Sequence, residues 1–146
     1  MSDSLSKVAQ LARRDEQRAA ESARSQRGAL GDAQARLEQL QTFRREYEGR
    51  LSRLVGDGMD ARQLRDYRAF LLRLNEAISQ QSRQVTQQRD QLSARQNVLQ
   101  EKSARRESVD TLQKRHRRAE ERGAGRREQR LQDEASIRQY LGDSTA

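Results

Sequence analysis

From Leu5 onward, apolar residues recur at alternating steps of three and four: Ala9, Ala12, Ala19, Ala23, Leu30, Ala33, Leu37, Leu40, Tyr47, Leu51 and Leu54. Only Glu16, Gln26 and Arg44 interrupt the series. This spacing lays a single narrow apolar stripe along a helix, the signature of a coiled-coil seam. A stripe so narrow cannot enclose a globular core, so a second helix must cover it.

Composition removes the alternatives. Of 146 residues, 32% are hydrophobic, 36% charged and 3% aromatic. That leaves too little large apolar surface, at roughly 25 cal/mol per Å², to offset the ordering entropy of a compact domain. Pro is absent, which removes the strongest helix breaker. Ala, Leu, Arg, Gln and Glu dominate, and all are good helix formers. Cys is absent as well, so neither a disulfide nor a thiolate metal site can form. No stretch approaches the ~18 apolar residues of a membrane span, and "MSDSLSKVAQLARRDE" holds no run of signal-peptide length. A cytoplasmic setting is therefore expected, and the formal charge of +8 calls for acidic partners.

The segment "VGDGMDARQL" reads as a turn over residues 56–59 followed by a helix start. Gly56 and Gly58 can adopt backbone angles closed to other residues. Asp60 is the expected N-cap, Gln63 the return member of a capping box, and Met59 with Leu64 a hydrophobic staple. The predicted fold class is all-α: two long helices, about 4–55 and about 60–141, in one antiparallel coiled-coil hairpin spanning 1–146. Gly28 and Gly31 weaken the first helix by about 1 kcal/mol each and mark the place where it could break.

The second helix repeats the seam with Leu64, Tyr67, Leu71, Leu74, Ile78, Val85, Leu92, Leu99 and, faintly, Val109. Polar residues Gln81, Gln88, Arg95 and Lys102 fill alternate slots. An antiparallel fold at the turn sets Leu51 against Leu64, Leu37 against Ile78, Leu30 against Val85 and Ala23 against Leu92. Glu16 then comes within reach of Arg95 or Lys102. The packing is expected to be strong near the turn and thin towards the termini. Leu5 falls near residue 110, so the longer second helix overhangs from about 111. It could bend at "GAG" (123–125), and a C-cap at Gly142 and a mobile "DSTA" tail are expected.

No catalytic constellation is present, and neither enzyme activity nor a cofactor is expected. His116, the one His, lies among cations in "QKRHRRAEE" and lacks the clustered ligands a metal site needs. "GDG" lacks the Lys-Ser/Thr of a phosphate loop. Two binding features stand out. Residues 101–130 carry 11 Lys and Arg against six Asp and Glu, including Arg115, Arg117, Arg118, Arg126 and Arg127. This segment reads either as a solvated face or as a contact for an acidic protein surface. Nucleic-acid binding fits less well, because no aromatics are interleaved for base stacking and the basic stretch follows the faded half of the seam. The second feature is the line Phe70, Leu74, Ala77 and Gln81, rotated by roughly 60° from the seam centre. A two-helix hairpin is not expected to cover that flank. Two readings of it stand: packing against Phe43 and Tyr47, or a docking stripe for a partner.

The chain resembles FliJ, the small coiled-coil protein family of flagellar type III export, and more distantly the YscO-type stalk proteins of injectisomes. The resemblance runs from "LQTFRREYEGRL" through the Gly-containing turn and "DYRAFLLRLNEAISQQ" to "EQRLQDEAS". It implies a non-enzymatic stalk shaped like a rotary-ATPase shaft, whose termini-bearing end enters the hexameric export ATPase. It further implies that Phe70, Leu74, Ala77 and Gln81 contact the cytoplasmic part of the export gate. Gln81 stands where some relatives carry His. Export chaperones are further implied partners, as is peripheral association with the inner membrane through the export complex. A generic coiled-coil tether and a basic nucleic-acid-binding helix are the alternatives.

Overall fold

The structure, a computed structural model, describes residues 2–144. Two helices make up almost all of it, α1 (Ser2–Gly56) and α2 (Ala61–Ser144), of 55 and 84 residues. They pack antiparallel as a helical hairpin whose C-terminal helix is the longer, the fold class that the seam spacing predicts.

The connection is set by local chemistry. Gly58 takes a φ of +91°, a left-handed conformation that costs a side-chain-bearing residue roughly 1–2 kcal/mol. Before it, the Asp57 N–H donates to the Arg53 carbonyl at 3.1 Å and closes the last turn of α1. After it, Asp60 Oδ1 accepts the Gln63 N–H at 2.9 Å, satisfying one of the orphan donors of a helix N-terminus. The capping box is half formed, since among the described residues no return bond from the Gln63 side chain is present.

Both helices continue where glycines could have broken them. A Cβ built on Gly28 or Gly31 would meet nothing within 4 Å, so both lie on the open face while the opposite face carries the seam. Residues 123–125 remain helical. The expected stop at Gly142 is not observed, because α2 runs on to Ser144. Of the tail, 145 and 146 lie outside the described residues.

By internal packing the chain divides into two compact units: Gln17–Gln100, and Met1–Glu16 with Glu101–Ala146. In the first, Leu30, Ala33 and Val85 form a buried cluster with Leu37 and Leu92 against it. Ala19, Ala23, Leu74 and Ile78 are also buried. Polar seam positions are satisfied across the helices. Gln26, itself buried, donates to the Gln88 carbonyl at 3.2 Å and to its side-chain oxygen. Gln81 donates to the Ala33 carbonyl at 3.0 Å, and Arg95 to the Ser22 hydroxyl. Leu51, Leu64 and Tyr67, nearer the turn, are only half-buried. The expectation of tightest packing at the turn is therefore reversed in terms of burial. Alanines let the helices approach closely and seal one another, whereas bulky side chains between only two helices leave their flanks wet.

In the second unit Ala9 and Ala12 enclose Val109. Glu16 pairs not with Arg95 or Lys102 but with Arg106, whose Nε donates to both carboxylate oxygens at 3.1 Å. Asp110 accepts from Arg106 and Arg13, at 3.3 Å each. Half-buried Gln113 and His116 extend the covered face past residue 110. From Arg117 to Gly142 every residue except Gly123 is exposed.

Candidate partner-binding surfaces

The first surface is built on four aromatic rings drawn from both helices. Phe43 and Tyr47 stand one helical turn apart on α1, with ring centroids 5.3 Å apart. Tyr47 is the hub, 5.4 Å from Tyr67 and 4.4 Å from Phe70. Phe43 meets Phe70 nearly edge-on, at 6.1 Å and 72°, within the range in which aromatic pairs add stability beyond area burial. The Arg50 guanidinium lies 5.9 Å from the Tyr47 ring centroid. This cluster covers part of the flank that a two-helix hairpin was expected to leave bare.

The four residues of the α2 line occupy different environments. Leu74 is 6% exposed and belongs to the core. Phe70 is half-buried beneath the α1 rings, and Ala77, about two turns further along α2, is half-buried too. Gln81 spends its amide on the Ala33 carbonyl. Sequence reasoning named the two α1 aromatics only as a packing surface, yet Phe43 remains 43% exposed and lines a shallow groove with Arg36, Gln39, Leu40 and Gln81. Its spacing of four from Tyr47 was the available signal.

The second surface is the uncovered part of α2. Arg115, Arg117, Arg118 and Arg126 are exposed and, among the described residues, enter no ion pair. Arg127, also exposed, donates from Nε to the Gly123 carbonyl one turn back, at 3.3 Å. His116 Nε2 lies 3.1 Å from Glu120 Oε1, at an angle that makes no hydrogen bond. Leu131, Ile137 and Tyr140 are exposed as well, Tyr140 by 76%.

Beside this surface, the Arg106 network fixes charge. Hydrogen bonds to Glu16 and then Asp110 raise the Arg106 guanidinium above its ordinary value. Desolvation alone would raise the Asp110 carboxyl, but the Arg106 hydrogen bond and the nearby Arg13 outweigh it and lower it. Both groups stay ionised at neutral pH.

Among the described residues no three His, Asp or Glu side chains stand together as a metal site, and no helix is long and apolar enough to cross a membrane. What the fold presents is a helical hairpin with an aromatic flank and a bare basic helix. That is the make-up of a protein whose work lies in contacts with other macromolecules. The family comparison is specific: the model of the flagellar FliJ protein matches residues 1–144, and the chain belongs to that family. It is accordingly a component of the flagellar export apparatus. No curated protein and no solved structure matches the chain.

Proposed function

We propose that the chain is a non-enzymatic stalk of flagellar protein export that binds the hexameric export ATPase through its termini-bearing end. The observation that carries this reading is the bare segment after His116. Its arginines are exposed and largely unpaired, and no part of α1 covers them. A cation left free in this way is available to a carboxylate of another protein, and Arg presents a planar fork suited to such pairing. Arg115, Arg117, Arg118, Arg126 and Arg127 form the ATPase contact, with acidic surfaces of the ring as their partners.

The same reading gives Phe70, Leu74, Ala77 and Gln81 to the cytoplasmic part of the export gate. Phe70 and Ala77 supply the accessible edge. Leu74 and Gln81 hold that edge from beneath, through the core and through the Ala33 carbonyl. Export chaperones are further partners, and association with the inner membrane export complex follows from these contacts.

The test is ATP hydrolysis by the export ATPase at near-physiological salt, with and without the chain. Wild type stimulates hydrolysis. An Arg126→Glu, Arg127→Glu variant loses most of the stimulation, whereas Phe70→Ala retains it. Stimulation by the charge-reversed variant equal to wild type would remove the arginine assignment, and no stimulation by wild type would remove the stalk reading.

A further inference from the structure

The turn end carries a surface that neither proposed contact uses. α1 finishes on two exposed apolar residues, Leu54 and Val55, the latter 53% exposed. The chain then reverses through Gly58, so these side chains stand at the hairpin's end, next to the reversal. Arg53 in the same turn donates to the Gly49 carbonyl and remains exposed.

Across the reversal, Arg62, Arg65 and Arg68 are exposed, and among the described residues none of the three has a side-chain hydrogen-bond or ion-pair partner. Arg62 and Arg65 lie three residues apart on the side of α2 turned away from the seam, and Leu72, 69% exposed, continues that side. At 1.5 Å per residue, both arginines fall within roughly 6 Å of the first residue of α2. That is inside the ~8 Å over which charge acts at physiological salt. Residues 49–73 hold six Arg against Asp57, Asp60 and Asp66. The Asp60 carboxylate is already engaged by the Gln63 N–H.

We infer that the turn end binds an anionic phospholipid surface, with Leu54 and Val55 entering the headgroup layer and Arg53, Arg62 and Arg65 meeting lipid phosphates. Apolar side chains and free cations at one level are what interfacial attachment requires, since burial and charge attraction add. A fluid bilayer can also adapt to an end of any contour, whereas a folded acidic protein would need a matching socket. The attachment is interfacial, because neither helix is apolar enough to span. It goes beyond the gate and ATPase contacts and does not depend on them.

Co-sedimentation of the full chain with vesicles tests it, using phosphatidylcholine alone and phosphatidylcholine with phosphatidylglycerol in equal parts. Wild type pellets with the anionic vesicles and stays in solution with the neutral ones. Leu54→Gln, Val55→Gln and Arg62→Glu, Arg65→Glu each weaken binding at least about ten-fold. Both pairs are exposed, and unchanged far-UV circular dichroism verifies their fold. Arg126→Glu, Arg127→Glu binds as wild type. Absence of wild-type binding to anionic vesicles overturns the inference. So does a loss that appears in the Arg126, Arg127 variant and not in the turn variants, or that is equal in all of them, because attraction would then follow net charge alone.

Discussion

Leu72 and Leu74 offer a controlled pair: the same side chain, two residues apart on one helix, 69% and 6% exposed. Replacing Leu74 with Ala removes apolar area that is almost entirely out of water, and large-to-small core changes of this kind cost about 2–5 kcal/mol. A two-helix seam has solvent on both flanks and can relax, so the lower end applies, about 2–3 kcal/mol. For a chain of this size each kcal/mol moves Tm by roughly 2–4 °C, giving a loss of roughly 4–12 °C. Leu72→Ala exchanges one strong helix former for another on an open face and changes stability by less than about 0.5 kcal/mol. Thermal melts followed by far-UV circular dichroism read both. If the two variants melt together, Leu74 does not hold the seam and the distinction between buried and accessible members of the α2 line fails. The result also governs how a binding defect in Leu74→Ala is interpreted, because a loosened hairpin displaces Phe70 without any lost contact of its own.

The remaining predictions are independent of that one. Gly28→Ala and Gly31→Ala, whose Cβ atoms meet nothing within 4 Å, each raise stability by about 0.5–1 kcal/mol, visible as a higher melting temperature. Gly58→Ala, at a φ of +91°, lowers it by roughly 1–2 kcal/mol, and a loss no larger than that of Gly56→Ala would contradict the turn geometry. Asp110 is held below the ordinary aspartate range, so its stabilising effect is complete above that range and disappears as pH falls through the lowered value. The wild-type melting temperature should therefore drop on acidification more steeply than that of Asp110→Asn, while Arg106, raised and always charged, contributes no titration in this window.

The parts of this fold that were legible in the sequence are those whose signal is local or periodic. Asp60 and Gly58 act within three residues of themselves, so the turn could be placed from residue types alone. The Leu30 and Val85 contact followed from counting outward from that turn. Counting failed farther away, where Glu16 meets Arg106 rather than Arg95 or Lys102. Register there depends on how closely Ala9 and Ala12 allow Val109 to approach and on the reach of a long arginine, and neither is written in the period. Gly142 failed for another reason: a lone glycine permits a stop without imposing one. At the aromatic flank, the wheel gave the direction of Phe70 correctly. It left open whether Phe43 and Tyr47, on the other helix, would lie over it. The position of the arginines after His116 was legible, because exposure there follows simply from α1 having ended.

That bare stretch of α2 has a thermodynamic consequence. From Arg117 to Tyr140, among the described residues, the helix rests on its own hydrogen bonds and side-chain propensities, with Gly123 and Gly125 each costing about 1 kcal/mol relative to Ala. Helices without tertiary support are only marginally stable in water. Their amides open at free energies close to zero, far below those of the sealed Ala9, Ala12 and Val109 layer. A partner that grips this segment must therefore supply the ordering free energy itself, which lowers affinity relative to the contact area and speeds release. Hydrogen exchange would register the grip as protection gained from Arg117 onward, so the same stretch reports its own occupancy.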